Sequence, residues 1–291
     1  MITKSQEKRN LGFGQIYLAV NQSSGVDEEL SPNTLYLTLK TSRSFCVLME
    51  ESSRPSSANS NDSFNISEFL VPARDLKLPG QSSVTFDGLL KEPLLLKEDL
   101  KEGCGGQLWP AGMVLAKYML RRHHSDLSDK TIVELGAGGG LVGLAVARGC
   151  HVGPSPLYIT DQIPMVSLME ANIKLNNLSS TVKAAVLDWG DPIPADIPRH
   201  PAIILAADCV YFEPAFPLLV TTLKELLGPD SVCYFCFKKR RRADLRFMKL
   251  AKKAFSITEI SDDPDAETYK RENISLYSIR AKQDNTGLRN D

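Results

Sequence analysis

Two acidic residues follow runs that are predicted to be strands, and the run before Asp208 is entirely apolar. Asp208 comes directly after the run 202–207, and Asp161 follows the run 157–160. A carboxylate after a buried run is costly unless it emerges into a cleft or accepts hydrogen bonds, so Asp208 is the leading catalytic candidate. The carboxylate of Asp161 could accept hydrogen bonds from the vicinal hydroxyls of a ribose, or cap the helix predicted to begin near Pro164.

A glycine-rich turn joins a predicted strand to a predicted helix within residues 131–145. Gly136, Gly138 and Gly140 allow the backbone to turn sharply and to approach a ligand that side chains would obstruct. The functional interpretation is a nucleotide-like cofactor, and the alternative is a tight turn that needs glycine for structural reasons. Asp161, at the end of the next predicted strand, favours the cofactor.

Both tryptophans of the chain lie close to predicted element boundaries. Trp189, in Asp188-Trp189-Gly190, follows the predicted third strand, where an indole could lie against an adenine face. The alternative is a core tryptophan at the end of a sheet. Trp109 stands before the helix predicted from Pro110 to Arg122, and the same two interpretations apply to it.

The order of the predicted elements places these residues at one edge of a sheet. The alternation predicts an α/β fold with a parallel, doubly wound sheet, in which ligands bind outside the carboxyl ends of the strands. Five parallel strands followed by an antiparallel hairpin differ from the usual dinucleotide-binding order. The predicted strands are 131–135, 157–160, 182–187, 202–207 and 231–237, the hairpin is 256–260 with 274–279, and the later helices are 139–148, 163–176, 215–227 and 244–255.

The N-terminal residues 1–82 are predicted to form a β-rich extension, and residues 83–291 the main domain. Alternating β-formers predict short strands at 13–20 and 34–40, whereas 51–63 is too polar to pack and predicts a loop. Two further strands are predicted at 83–88 and 92–97, with Gly88 as a turn residue between them.

The overall charge argues against bulk attraction to nucleic acid or to an anionic membrane. Lys and Arg total 34 against 35 for Asp and Glu, which gives a net charge of -1. The charged N-terminus lacks the apolar core of a secretory signal, and no apolar run is long enough to span a bilayer. We therefore expect a cytoplasmic protein, with the nucleus as the alternative, that does not contact membranes and acts as a monomer.

The cysteines and histidines predict no metal site. Cys233 and Cys236 have the spacing of a metal or redox pair, but they lie in a predicted strand, where a separation of three puts two side chains on opposite faces. The six cysteines suit free thiols in a reducing compartment. The four histidines show no metal-ligand spacing.

A basic run, Lys238-Lys-Arg-Arg-Arg242, follows the last predicted parallel strand. Three interpretations are open: a solvated loop, a nuclear address, or a contact for an acidic partner surface.

Taken together, these motifs resemble the seven-β-strand methyltransferases that use S-adenosylmethionine. The Asp-x-x-Tyr motif after the fourth strand, here Asp208-Cys-Val-Tyr211, is similar to that of the protein-lysine methyltransferase branch (family 16), whose members act on elongation factor 1-alpha, the valosin-containing ATPase and heat-shock 70 chaperones. The likeness covers about residues 83–280 and implies a Rossmann-like, seven-stranded sheet. It is carried by Glu134-Leu-Gly-Ala-Gly-Gly-Gly-Leu-Val-Gly143, Trp109, Asp161, Asp188-Trp189 and Asp208-Cys-Val-Tyr211.

The resemblance also implies a role for each of these residues. Gly136, Ala137 and Gly138 would approach the methionine end of the cofactor, and Glu134 would support their loop. Asp161 would hold the ribose. Trp189 and Ala207 would flank the adenine, and Trp109 would close over the cofactor from the N-terminal side.

Methyl transfer needs a neutral amine in line with the activated methyl group, because a free lysine has a pKa near ~10.4. We expect Asp208 to orient the amine as a hydrogen-bond acceptor and Tyr211 to wall the lysine channel. The resemblance favours elongation factor 1-alpha as substrate. The alternatives are another protein such as an ATPase or chaperone, a small molecule or RNA, and a non-catalytic scaffold. The intact glycine turn argues against the scaffold, and the absence of an Asn-Pro-Pro-Tyr-like motif argues against a nucleobase substrate.

Overall fold

The computed structural model describes residues 8–10, 15–17, 80–99 and 106–282. The chain divides into two compact units, Met1–Pro72 and Ala73–Asp291. In the first unit, strands β1 (Lys8–Asn10) and β2 (Gln15–Tyr17) pair antiparallel. The predicted strand 13–20 overlaps β2, whereas the predicted strand 34–40 and the polar loop 51–63 lie outside the described residues. The domain boundary at 82/83 stays a prediction.

The second unit begins with an antiparallel hairpin of β3 (Gly80–Val84) and β4 (Leu94–Glu98). The predicted strand 83–88 was wrong at its end, because Phe86 and Asp87 have positive φ angles of 52° and 58°. Left-handed residues turn the chain and cannot continue a strand. Gly88, with φ of 83°, lies in this turn as predicted.

A seven-stranded sheet forms the centre of the second unit, as the sequence predicted. Its spatial order is β10-β11-β9-β8-β5-β6-β7, with five parallel strands and β11 antiparallel to both β9 and β10. The strands are β5 (Ile132–Leu135), β6 (Leu157–Asp161), β7 (Val182–Val186), β8 (Ile203–Ala207), β9 (Val232–Lys238), β10 (Phe255–Glu259) and β11 (Ile274–Ala281).

Helices cover both faces of this sheet, which is why its inner strands are apolar on both sides. The first three helices contribute to one core cluster, and the fourth and fifth to the other. The helices are α1 (Pro110–Arg122), α2 (Leu141–Gly149), α3 (Ile163–Leu175), α4 (Phe216–Leu226), α5 (Arg242–Ala254) and α6 (Ala266–Arg271).

Strand β9 shows how the two core clusters are divided. Phe235 and Cys233 belong to the cluster under α4 and α5, whereas Cys236 belongs to the cluster under α1 to α3. The opposite orientation predicted for the two cysteines is thus confirmed. Within the part of the chain that the structure describes, no group of three or more His, Cys, Asp or Glu side chains could hold a metal ion.

The hairpin at the end of the chain differs from the prediction in its connection. The predicted strands 256–260 and 274–279 match β10 and β11, but the residues between them include the helix α6. Arg121, in the last turn of α1, pairs with Asp263 and Asp265 of this connection at 2.8 Å each. Among the described helices, none is long and apolar enough to cross a membrane.

Candidate active site

The carboxyl ends of the parallel strands bring most of the predicted site residues to one edge of the sheet. The glycine turn follows β5, Asp161 ends β6, Trp189 follows β7, and Asp208 follows β8. Strand β5 has β6 on one side and β8 on the other. The chain therefore leaves β5 toward one side of the sheet and later leaves β8 toward the other side. Such a point opens a crevice between neighbouring loops.

The glycine turn needs glycine for its backbone at three positions. Gly136, Gly138 and Gly140 have φ angles of 60°, 55° and 87°. Gly136 also needs the space, because a Cβ atom there would lie 2.9 Å from Cζ2 of Trp189 and 3.1 Å from Sγ of Cys209. The indole and the thiol therefore lie directly against the backbone of this turn.

The carboxylate of Asp161 faces the glycine turn. Its Oδ2 accepts a hydrogen bond from the Gly138 N–H at 2.7 Å, and its Oδ1 accepts one from the Gln162 N–H at 2.7 Å. Burial raises the pKa of this carboxyl, although both N–H groups act to lower it. The N-cap residue of α3 is Gln162, and no side chain caps that helix. The helix-cap alternative is therefore wrong. The ribose role stays a prediction, and it is supported by the lone pairs of the Asp161 carboxylate that remain free to accept hydrogen bonds.

Glu134 lies beneath the turn and is only 3% exposed. Its Oε2 accepts the N–H of Gly143, in the first turn of α2, at 2.8 Å. This bond ties strand β5 to the start of the helix across the glycine turn. Burial raises the pKa of the Glu134 carboxyl to about 8.

Sequence reasoning missed Asn172, a fully buried residue of α3. Its side-chain amide donates to the carbonyl oxygens of Gly139, at 2.9 Å, and Lys97, at 3.3 Å. Its Oδ1 accepts the Lys97 N–H at 2.8 Å. Asn172 thus links the glycine turn to the edge of β4. The available signal was a polar residue within the apolar pattern of a predicted helix.

Asp208 sits in a strained backbone conformation with a buried side chain. Its φ is 53°, and its side chain is 5% exposed. Its Oδ1 accepts hydrogen bonds from the Lys238 N–H at 2.9 Å and from Nη1 of Arg240 at 3.0 Å. Its Oδ2 accepts one from Nη2 of Arg240 at 3.1 Å. The carboxylate is therefore held by a bidentate guanidinium. Left-handed non-glycine residues are uncommon and are often found at functional sites.

Arg240 was missed as a site residue because it lies in the basic run. Its guanidinium carbon stands 5.0 Å from the centre of the Trp109 ring, a distance suited to a cation–π contact. The neighbouring Arg241 caps α5 together with Asp244 and donates to the carbonyl oxygen of Tyr211. Both arginines lie in an exposed loop, as the solvated-loop interpretation predicted, but each also makes specific contacts. The predicted strand order could have indicated this contact, because β9 pairs with β8 and the residues that follow the two strands therefore lie close together.

The remaining predicted residues differ in their surroundings. Tyr211 is 56% exposed at the rim, on the segment that leads into a short 3-10 helix, Glu213–Ala215. Ala207 packs against the core cluster under α1 to α3, and Trp189 against the cluster under α4 and α5. Ala137 is buried within the glycine turn, where its N–H donates to the Thr160 carbonyl at 3.0 Å.

Comparison with known proteins identifies a family for this arrangement. Residues 89–254 match the profile of a family described as lysine methyltransferase. The chain is 37% identical over 238 residues to the protein-lysine N-methyltransferase EFM6 of Saccharomyces cerevisiae, which covers 73% of this chain and 96% of the yeast protein.

Two animal proteins are also similar. The protein N-lysine methyltransferase METTL21A of Danio rerio is 32% identical over 229 residues, which cover 75% of this chain and 99% of the fish protein. The EEF1A lysine methyltransferase 3 of Mus musculus is 31% identical over 186 residues, 62% of this chain and 74% of the mouse protein.

Proposed function

Since the chain belongs to the lysine methyltransferase family, we propose that its protein substrate is translation elongation factor 1-alpha. The chain is an S-adenosylmethionine-dependent protein-lysine N-methyltransferase: the matching family is described as lysine methyltransferase, and two relatives are named as methyltransferases of protein lysines. The name of the mouse relative supports elongation factor 1-alpha. The name of METTL21A specifies a protein lysine without a substrate, so an ATPase or a chaperone is the second candidate.

The residues around the glycine turn fit the cofactor. A Cβ atom at Gly136 would meet Trp189 and Cys209, so the turn presents bare backbone beside an indole. The Asp161 carboxylate, next to this turn, keeps acceptor capacity for hydroxyl groups. When bound, S-adenosylmethionine supplies a methyl group that its positive sulfur has already activated. We assign the cofactor to this crevice, with Trp109, Glu134, Ala137, Gly138, Trp189 and Ala207 as further binding or supporting residues.

The observation that carries the assignment of the lysine site is the carboxylate of Asp208. It is buried, rigidly held by Arg240 and the Lys238 N–H, and located at the same sheet edge as the glycine turn. An acceptor fixed in this way can orient an incoming amine toward the methyl group. Tyr211, an exposed residue after β8, would contact the lysine side chain as it enters.

Two other functions have less support. The segment Asp208-Cys-Val-Tyr211 resembles that of lysine methyltransferases and differs from the Asn-Pro-Pro-Tyr-like motif of nucleobase methyltransferases, which argues against RNA or a small molecule as substrate. A non-catalytic scaffold is not favoured, because the glycine turn, Asp161 and Asp208 are all present and hydrogen-bonded. We place the proposed activity in the cytoplasm, with the nucleus as the alternative, and in a monomer.

The test is methylation of elongation factor 1-alpha purified from cells that lack this enzyme. Cofactor with a labelled methyl group is added with wild-type enzyme or with Asp208→Ala, and the labelled residue is located by mass spectrometry. We expect label on one lysine with wild-type enzyme and at least about a hundredfold slower labelling with Asp208→Ala, because orientation of the reacting group is lost.

The same reaction in an extract of those cells tests the choice of substrate. Label on a different protein would contradict elongation factor 1-alpha, and label on RNA would contradict the protein substrate. Undiminished activity of Asp208→Ala would contradict the assigned lysine site. Binding of S-adenosylhomocysteine, measured by calorimetry, should survive in Asp208→Ala and shows that the variant is folded.

A further inference from the structure

The hydrogen bonds to Asp208 leave one defined place for a substrate amine. Oδ1 accepts two hydrogen bonds, from the Lys238 N–H and from Arg240, while Oδ2 accepts only one, from Arg240. A carboxylate oxygen has about two acceptor positions. Among the described contacts, the remaining acceptor position of this carboxylate is therefore on Oδ2.

The charge of Asp208 is already balanced before a substrate binds. Arg240 forms a bidentate ion pair with it at 3.0 and 3.1 Å, and the guanidinium carbon also lies 5.0 Å from the centre of the Trp109 ring. Nη1 of Arg240 donates as well to the carbonyl oxygen of Lys238, at 3.3 Å. Contacts on several sides hold the guanidinium in this position.

An unpaired carboxylate would oppose the reaction. An opposite charge within about 4–6 Å favours the charged form of a group and shifts its pKa by about 1–3 units. A lysine beside a bare aspartate would therefore be held more firmly as an ammonium, whose nitrogen has no lone pair for attack. A carboxylate paired with a guanidinium can accept a hydrogen bond from a neutral amine without that effect.

We infer that Arg240 is a positioning residue that keeps the bound substrate lysine in its neutral form by neutralising Asp208 in advance. The inference rests on the proposed placement of the lysine beside Asp208, and it does not depend on which protein carries that lysine. The lysine ammonium releases its proton to water as it binds. The amine lone pair then forms the N–C bond to the methyl carbon, and the electron pair of the S–C bond remains on sulfur. The product leaves as a methylated ammonium ion, so each transfer releases only the one proton that was lost on binding.

Replacement of Arg240 leaves the other titratable side chains at this edge of the sheet in place. Asp161 is the last residue of β6, Asp188 follows β7, and Glu134 lies under the glycine turn. Burial is the main cause that raises the pKa values of the Cys209 and Cys236 thiols, and the charge of Asp208 raises them further. A difference in pH dependence between wild type and an Arg240 variant therefore reports on the Asp208–Arg240 pair. The main-chain N–H of Lys238 also contacts Asp208, and the neighbouring Arg241 donates to the carbonyl oxygen of Tyr211.

The first test is kcat as a function of pH for wild type, Arg240→Ala and Arg240→Lys, because kcat reports ionisation in the enzyme–substrate complex. The probe is unmethylated elongation factor 1-alpha or, if the extract experiment labels another protein, that protein. For Arg240→Ala we expect the rising limb of the profile to move up by about 1–2 pH units, so that kcat falls about 10–100-fold near neutral pH and recovers at high pH. KM should not rise, since the ammonium binds well to bare Asp208. Arg240→Lys should give a smaller shift.

The second test counts protons and does not depend on turnover. Binding of the same probe is measured by calorimetry with S-adenosylhomocysteine present, in buffers of different ionisation enthalpy. Near pH 8, wild type should release about one proton for each lysine bound and Arg240→Ala much less, because only the wild-type site selects the neutral amine. Lys239→Ala removes a neighbouring exposed charge and should behave like wild type in both tests.

The results separate this inference from the proposed function. A loss of kcat in Arg240→Ala that is the same at every pH, or equal proton release by wild type and variant, would overturn the role of Arg240. Full activity of Asp208→Ala would instead contradict the lysine site on which the role depends. Retained binding of S-adenosylhomocysteine by Arg240→Ala shows that the variant is folded.

Discussion

The buried carboxyl of Glu134 should make the stability of this enzyme depend on pH. Its pKa is raised by burial from 4.5 to about 8. A carboxyl with a raised pKa binds a proton more tightly in the folded state than in the unfolded state. Its contribution to stability is therefore complete below pH 4.5 and is progressively lost as the pH rises to about 8.

The size of the effect follows from the shift. Each pH unit between the two pKa values is worth about 1.4 kcal/mol, so a rise from pH 4.5 to pH 7 should remove about 3 kcal/mol of the free energy of unfolding. Glu134→Gln cannot ionise, yet its side-chain oxygen can still accept the Gly143 N–H that Oε2 of Glu134 accepts at 2.8 Å. The variant should therefore lack this loss and be the more stable protein near pH 8.

The assay is urea-induced unfolding of wild type and Glu134→Gln at several pH values from 5 to 9, without cofactor. Glu170→Gln is the matched control, because Glu170 is an exposed residue of α3. The control should follow the wild-type curve within about 0.5 kcal/mol, as surface substitutions usually do. If the stability difference between Glu134→Gln and wild type is the same at every pH, the buried carboxyl does not take up a proton and the reasoning is refuted.

Two substitutions test the glycine turn. Gly136→Ala places a Cβ atom 2.9 Å from Trp189 on a backbone with φ of 60°, so we expect affinity for S-adenosylhomocysteine to fall about tenfold or more. Calorimetry would measure this affinity. Gly88→Ala is the control, because Gly88 also has positive φ but has no atom within 4 Å of an added Cβ. Equal affinities of Gly136→Ala and Gly88→Ala for S-adenosylhomocysteine would contradict the prediction. Asn172→Ala leaves the Gly139 carbonyl without its buried partner and should cost about 3 kcal/mol of stability in urea unfolding, because several hydrogen bonds are lost together. A cost below about 1 kcal/mol would show that the link to the glycine turn contributes little.

The local pattern of apolar and polar residues was sufficient to predict the main strands and helices of the second unit. Parallel strands buried on both faces appear in sequence as short apolar runs, and the ends of β5, β6 and β8 fall within one residue of the predicted ends. The turn at Gly136, Gly138 and Gly140 was also predictable, since its backbone requires positive φ. Phe86 and Asp87 escaped prediction because a non-glycine residue with positive φ carries no clear local signal.

The family and the chemistry were decided by the sequence alone, because the glycine turn, Asp161 and the segment from Asp208 to Tyr211 are local motifs at the ends of predictable strands. Tertiary structure alone decided what holds Asp208. Its partner Arg240 lies 32 positions away and is brought beside it by the pairing of β8 with β9, in which Ala207 stands opposite Cys236. The same sequence, before folding, shows only a buried acid and a run of basic residues. The register between two strands depends on hydrogen bonds and packing along their whole length, so it cannot be read from either segment by itself.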